Sequence, residues 1–374
     1  GLGDVYKRQG KDCSTAEVNP LFSDSVYIDR LSRIPAVMEM PYNDIVRKFI
    51  DMYAGRLRNQ VSFMLSACNF YMPIFEEALD AYGLPLELKY LPIIESALNP
   101  SAVSRAGASG LWQFMIGTGK IYGLESNSLI DERRDPIKAT WAAARYLKEM
   151  YDIYGDWNLV IAAYNCGPGT INKAIRRAGG ETDYWKIYNL LPKETRGYVP
   201  AFIAANYVMT YYCDHNICPM ETNIPASTDT VQVTQNLHFE QIAELCNVPL
   251  DEVKSLNPQY KKQIIPGTTK PCTLRLPQGA ISAFIDKQDT IYAHRADELF
   301  RNRKTVAVKE ITPATRRQTS AIAGKGKLTY YKIKSGDTLS SIAEKLGVRV
   351  RDIQQWNGMS NTRISAGKQL KIYK

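Results

Sequence analysis

The sequence predicts a multidomain chain: an all-α domain over 42–219, then two small α+β modules of βααβ plan over 228–278 and 328–374. Three observations predict it. Apolar residues recur at helical spacing from Tyr42 to Cys213, with no convincing alternating run among them. Beyond Pro219 the pattern shortens to strand, helix, helix, strand. That plan occurs twice: I-A-E-L-C-N-V-P-L-D-E-V-K-S-L-N-P (242–258) aligns without a gap with I-A-E-K-L-G-V-R-V-R-D-I-Q-Q-W-N-G (342–358), an internal repeat offset by one hundred residues.

The elements follow in order. D-V-Y-K-R-Q (4–9) resembles the translated end of a sequencing-library adaptor, so 1–9 are read as a scar, and the natural start, with any signal peptide or lipid anchor, as lost with it. Residues 10–41 carry Pro20 and Pro35, show no sustained period and are expected to be irregular. Ile45, Phe49, Met52 and Tyr53 fall on one helix face, and Val61, Met64, Leu65 and Cys68 continue the pattern. A separate helix is expected over 72–82, stopped by Gly83 and Pro85. A short apolar helix over 86–98 is bent or restarted by Pro92 and ended by Asn99-Pro100. A helix over 113–122 stops at Gly123, and Pro136 opens the next, with Ile137, Trp141, Ala144, Leu147 and Tyr151 in phase. Asp156 caps a helix over 157–165, which Gly167-Pro168-Gly169 breaks. Helices over 184–191 and 193–213 complete the domain.

In the first module, 230–234 and 273–276 read as strands flanking helices Phe239–Cys246 and Leu250–Leu256. In the last, 328–333 and 369–372 flank Leu339–Leu346 and Val350–Trp356. Residues 279–327 between them read as a basic linker; within it, 287–327 has ten Lys or Arg against four Asp or Glu.

Composition narrows the function classes. With 374 residues and 45% hydrophobic content the chain is globular and not a disordered polymer, and no run approaches the eighteen consecutive apolar residues of a spanning helix. The net charge of +9 suits an anionic partner, such as an acidic wall polymer, or serves solubility alone. Seven cysteines without C-x-x-C spacing point away from zinc; Cys213 with Cys218, and Cys246 with Cys272, are candidate bridges beside the alternative of free thiols. No metal or organic cofactor is implied, and the basic linker is weak evidence for nucleic acid, which is not expected as a partner.

The chemistry concentrates in four short motifs. Glu95 lies in L-P-I-I-E-S-A-L-N-P (91–100), an apolar setting that would hold its proton tightly enough for an acid near neutral pH. Ser96 is placed to bond that carboxyl or a substrate. Gln113, in G-L-W-Q-F-M (110–115), has an amide that both donates and accepts, as sugar hydroxyls and acetamido groups require. Trp112 beside it reads as core. Tyr164 and Asn165, in A-Y-N-C-G-P-G (163–169), end a helix where side chains can face a cleft, and Tyr198, in R-G-Y-V-P (196–200), can position a carboxyl. Each motif alone is ordinary. Glu87, Asp131, Glu132 and Asp135 are further carboxylates with no evident partner in the set.

In this order and spacing the motifs resemble the lysozyme-like lytic transglycosylases of bacterial cell walls, over about residues 40 to 215. The resemblance implies a lysozyme-like fold for the all-α domain and cleavage of the link between N-acetylmuramic acid and N-acetylglucosamine without added water, leaving a 1,6-anhydromuramyl end. It implies Glu95 as the acid and base, with Gln113, Tyr164 and Asn165 lining the glycan cleft and Tyr198 holding Glu95. The last module, through Y-K-I-K-S-G-D-T-L-S-S-I-A (331–343) and W-N-G-M-S-N (356–361), resembles a LysM domain. That implies glycan contacts at Gly336, Asp337, Thr338, Leu339, Asn357 and Met359. The first module lacks S-G-D-T-L and reads as a degenerate LysM-like copy, more structural than binding. The implied partner is peptidoglycan glycan and the implied place the bacterial cell envelope, in the periplasm, with membrane association through a lost anchor. A water-using muramidase and a non-catalytic wall-binding protein are the alternatives.

Overall fold

The computed structural model describes residues 18–222, 224–225, 227–300, and 328–373 except 335, 336, 338, 349, 358, 360–363, 365 and 366. The adaptor-like residues 1–9 and most of the expected linker therefore lie outside the described residues. The chain divides into two compact units, 1–311 and 312–374.

The first unit opens with α1 (Asp24–Ser32), inside a segment expected to be irregular. Only Tyr27 and Leu31 of this helix are buried, two positions four apart, too few to show a period in the sequence. Both join the main core, and Arg30 donates to the Tyr207 hydroxyl. Helix α2 (Asp44–Ala54) is capped by Asn43, whose side chain accepts from the Ile45 and Val46 amides. Helix α3 (Arg58–Ala81) runs unbroken through Pro73, where two helices were expected. Proline removes one backbone donor, but Met64 and Leu65 before it and Phe75, Ala78 and Leu79 after it form one buried stripe. Packing of that stripe outweighs the break.

A 3₁₀ turn (Leu86–Tyr90) leads into α4 (Leu91–Ser96), which restarts with Pro92 in its first turn. Residues 113–115, expected to begin a helix, stay in a turn, and α5 spans only Ile116–Ile121. Helix α6 (Pro136–Tyr154) is capped by Asp135 and α7 (Trp157–Cys166) by Asp156. Then come α8 (Pro168–Arg177), α9 (Tyr184–Ile187) and the largely buried α10 (Lys193–Tyr211), which contains Pro200. One hydrophobic core joins these helices, with Trp112, Phe75, Tyr207 and Phe202 almost fully enclosed.

The same unit continues into the first small module. Strand β1 (Thr228–Val233) pairs antiparallel with β4 (Cys272–Pro277), Val231 facing Leu274. Between them lie the short β2 (Asn236–His238) and β3 (Ile264–Pro266), paired with each other, and helices α11 (Phe239–Cys246) and α12 (Leu250–Leu256). The expected linker does not begin at 279. Helices α13 (Gln278–Asp286), α14 (Gln288–Ala293) and α15 (Ala296–Leu299) follow directly, because Ala280, Phe284 and Ile291 bury in the module core.

The second unit holds β5 (Leu328–Lys332), α16 (Leu339–Leu346), α17 (Val350–Trp356) and β6 (Gln369–Tyr373), with β5 and β6 antiparallel. Its core is Ile333, Leu339, Ile342, Ala343, Ile353, Leu370 and Ile372. Cys213, Cys246 and Cys272 are free thiols, so neither of the two candidate bridges forms; Cys218 is disulfide-bonded. Among the described residues no helix is long and apolar enough to cross a membrane.

Candidate active site

Glu95 is the last residue but one of α4, and its backbone surroundings are unusual. Ala97 and Leu98, immediately beyond the helix, both take left-handed conformations, φ 51° and 59°. The Ala97 amide donates to Ile93 (3.1 Å) and the Leu98 amide to Pro92 (3.3 Å), a reverse closure that ends the helix abruptly. Two side-chain-bearing residues held there cost about 1–2 kcal/mol each. Leu98, buried at 1% exposure, anchors the strained pair in the core. The result leaves Glu95 half-buried at a helix end, on the wall of a cleft of about 390 Å³.

That cleft is lined by Tyr53, Gln60, Met64, Ile93, Ile94, Ser96, Ala102, Val103, Ser104 and Gln113, among others. Burial raises the Glu95 carboxyl to about 7, against an opposing hydrogen bond in which the Tyr198 hydroxyl donates to Oε1. Tyr198 comes from α10 and is 8% exposed; burial, followed by the nearby Glu95 charge, pushes its own phenol well up. A carboxyl raised this far can keep its proton near neutral pH, which suits a general acid.

The turn that carries Gln113 is clamped from three sides. Its Leu111 carbonyl accepts from Ser96 Oγ (2.9 Å), its Trp112 carbonyl from the Tyr164 hydroxyl (2.7 Å), and its Phe114 carbonyl from Arg133 Nη1 (2.9 Å). Gln113 itself is left-handed, φ 49°, and its amide nitrogen donates to the Gly110 carbonyl at 2.8 Å. Gly110, φ 89°, has no alternative: a Cβ there would lie 1.7 Å from the Arg133 carbonyl oxygen. Trp112 is fully buried, its Nε1 donating to Thr140 Oγ1, so it is core.

The structure therefore brings Glu95, Ser96, Gln113 and Tyr198 to one place. Ser96 lines the cleft, but its hydroxyl donates to the Leu111 and Pro92 carbonyls instead of to the carboxyl. Tyr164 lies near enough for the Glu95 charge to raise its phenol further, after burial, yet its hydroxyl is held by Trp112. Asn165 is exposed and accepts from Thr195 Oγ1 at 2.9 Å, which ties the end of α7 to the start of α10. Neither Tyr164 nor Asn165 is among the residues lining this cleft. Sequence reading missed Tyr53, Gln60 and Ser104. Tyr53 sat in phase with a core face, and nothing marked the other two.

The other carboxylates are occupied elsewhere. Asp131 is 2% exposed and bidentate with Arg133, both contacts at 2.8 Å. Asp135 caps α6, Glu132 pairs with Lys138, and Glu87 accepts the Val37 and Met38 amides. Among the described residues that line the cleft, Glu95 is the only carboxylate. None of the described residues forms a cluster able to hold a metal.

The expected glycan contacts of the last module have the following surroundings. Gly336 and Thr338 lie outside the described residues. Leu339 is 1% exposed, a core side chain with no surface to offer. The Asn357 amide donates to the Ile353 and Lys371 carbonyls (2.8 and 2.9 Å) and its oxygen accepts from the Lys371 amide, so it locks α17 to β6. Asn257 does the same in the first module, bonding Val253 and both backbone groups of Arg275. Asp337 accepts from the Tyr331 hydroxyl and the Lys334 amide, and Met359 packs against the core.

A helical domain whose cleft is lined, among the described residues, by one half-buried carboxyl, followed by βααβ modules, defines the lysozyme-like class of glycan-cleaving enzymes. The chain matches the transglycosylase SLT domain over 72–187, the lytic transglycosylase MltD LysM-like domain over 227–293 and the LysM domain over 331–372. It is 30% identical to membrane-bound lytic murein transglycosylase D of Escherichia coli (strain K12) over 341 residues, 90% of this chain and 70% of that one. It is 33% identical to the soluble lytic murein transglycosylase of the same organism over 124 residues, 32% of this chain and 19% of that one. A solved structure of the 70 kDa soluble lytic transglycosylase from Escherichia coli matches 41% of this chain and 26% of its own at 28% identity, with a TM-score of 0.33. The chain belongs to the family of membrane-bound lytic murein transglycosylase D: it is a lytic transglycosylase acting on peptidoglycan, with a LysM-like module followed by a wall-binding LysM module.

Proposed function

We propose that Glu95 alone carries out both proton transfers of the reaction. Its carboxyl protonates the glycosidic oxygen that leaves N-acetylmuramic acid, and the C1–O bond breaks. The C6 hydroxyl of the same muramyl residue then forms a bond to C1 and gives its proton to the Glu95 carboxylate, which restores the acid. No water enters, and the product ends in a 1,6-anhydro ring. Tyr198 orients the carboxyl, and Gln113 and Ser96 shape the wall against which the glycan lies. Tyr164 and Asn165 act by holding the Gln113 turn and the base of α10. The last module would retain the enzyme on insoluble wall, raising glycan concentration at the cleft, and the chain would work in the bacterial cell envelope.

The observation that carries this reading is that Glu95 is the only carboxylate among the described residues lining the cleft, its pKa raised to about 7 by burial. A retaining hydrolase would need a second one at about 5–5.5 Å, and Asp131 and Asp135 are committed to a buried arginine and a helix cap. Mass spectrometry of digested peptidoglycan tests it. Muropeptides lighter by one water are expected, and reducing ends alone would instead point to a muramidase. Glu95→Gln is expected to lower activity by at least about a thousandfold; unchanged lysis would favour a non-catalytic wall binder.

A further inference from the structure

The first LysM-like module shares a core and a backbone edge with the catalytic domain. Leu129 and Ile130, residues of the catalytic domain, are 3% exposed and belong to the hydrophobic core of the module. Ile130 bridges Tyr260 in antiparallel fashion; the Asp131 amide donates to the Gln259 carbonyl at 2.8 Å, and the Lys261 amide to the Leu129 carbonyl at 2.6 Å. Lys261 Nζ donates to the Asn127 carbonyl (2.8 Å) and stands 3.7 Å from Asp131. Lys270, also from the module, pairs with Glu125 and reaches Glu132 at 3.7 Å.

This edge leads straight to the cleft. Asp131 grips Arg133 with both oxygens, and Arg133 donates to the Gly107 (2.8 Å) and Phe114 (2.9 Å) carbonyls, the two ends of the turn that holds Gln113. The Arg133 carbonyl fills the space a Cβ at Gly110 would need, and Arg134 Nε bonds Ser109 Oγ at 3.0 Å. The turn thus rests on 131–134, and 127–131 rests on the module. A weakly held loop would let Gln113, already in a left-handed conformation, relax away from the cleft it lines with Glu95.

We infer that the first LysM-like module is a positioning element of the active site, acting from Lys261 through Asp131 and Arg133 on the turn that presents Gln113. This rests on the reading of Gln113 as part of the glycan cleft. The module serves the reaction without touching glycan, and Lys261 and Ile130 are positioning residues.

A double-substitution cycle in the full chain tests it, read as kcat/KM on soluble glycan fragments, with wall pull-down and thermal unfolding alongside. Lys261→Met and, from the other side of the edge, Ile130→Ala are each expected to lower kcat/KM about threefold to tenfold with wall retention unchanged. Lys261→Arg should restore most of the loss from Lys261→Met. In a Gln113→Ala background the same substitutions should cost little more, because the group they position is gone. Full multiplication of the two effects, or no effect of either edge substitution in the Gln113-containing enzyme, would overturn the inference while leaving the catalytic reading intact. A Gln113→Ala enzyme as active as the parent would instead remove Gln113 from the cleft reading itself. Should Ile130→Ala not fold, the Lys261 pair decides the question.

Discussion

The two βααβ modules are built alike and used differently. Each closes with an asparagine, Asn257 or Asn357, that makes the same three bonds to its second helix and closing strand. The first module carries helices α13 to α15 after its closing strand, and takes Leu129 and Ile130 of the catalytic domain into its core. The last is a compact unit of its own. One scaffold therefore serves once as a built-in part of an enzyme and once as a separate module, and the difference lies in what covers the core rather than in the fold.

Removing the two asparagines is the strongest way to break that comparison. Asn257→Ala strips three bonds from a fully buried site and should cost about 2–3 kcal/mol. Because that core includes catalytic-domain residues, its thermal unfolding and its activity on soluble glycan should fall together. Asn357→Ala, at a partly buried site, should cost about 1–2 kcal/mol, loosen retention on wall and leave activity on soluble fragments intact. Equal loss of soluble activity in both would erase the distinction.

A smaller effect separates the two units by pH. Glu95 has a folded value raised to about 7, so the folded state binds its proton more tightly than the unfolded chain. Its contribution to stability is full below about 4.5, the ordinary glutamate value, and is lost as pH rises through about 7. Asp337 behaves oppositely: the Lys334 amide and, less strongly, the Tyr331 hydroxyl hold its carboxyl below the usual range. Its contribution is present above the ordinary aspartate value of 3.8 and is lost as pH falls below it. Thermal unfolding across pH should show the catalytic unit weakening between about 4.5 and 7, a slope that Glu95→Gln removes. The last module should weaken only in acid, an exposed and therefore shallow effect that Asp337→Asn flattens.

Much of this was legible in the sequence, for identifiable reasons. Helical phase placed α2, α6 and α10, and the gap-free repeat placed the helices of both modules at their observed bounds. The motif order led to Glu95, Gln113 and Tyr198: Glu95 of α4 and the turn residue Gln113 line one cleft, and Tyr198 of α10 bonds Glu95. What stayed hidden has a common physical cause: contacts made by few residues leave no period. Helix α1 buries only Tyr27 and Leu31, and the edge between 129–131 and 259–261 is three residues long on each side. Asn357 was named only as a glycan contact implied by the LysM resemblance, and its aligned counterpart Asn257 was not singled out, because residue identity alone does not distinguish a side chain that locks a strand from one that meets a sugar. Tyr53 carried the opposite ambiguity, a core-phase tyrosine that lines the cleft.

The lone carboxyl is open to direct measurement by carbon-13 NMR titration of the glutamate side chains, with the Glu95 signal identified by its disappearance in Glu95→Gln. A midpoint near 7 is expected, rising further in Tyr198→Phe, because the tyrosine hydrogen bond favours the charged form. A midpoint at the ordinary 4.5, unmoved by the loss of the tyrosine hydroxyl, would contradict the assignment of Glu95 as the acid and base.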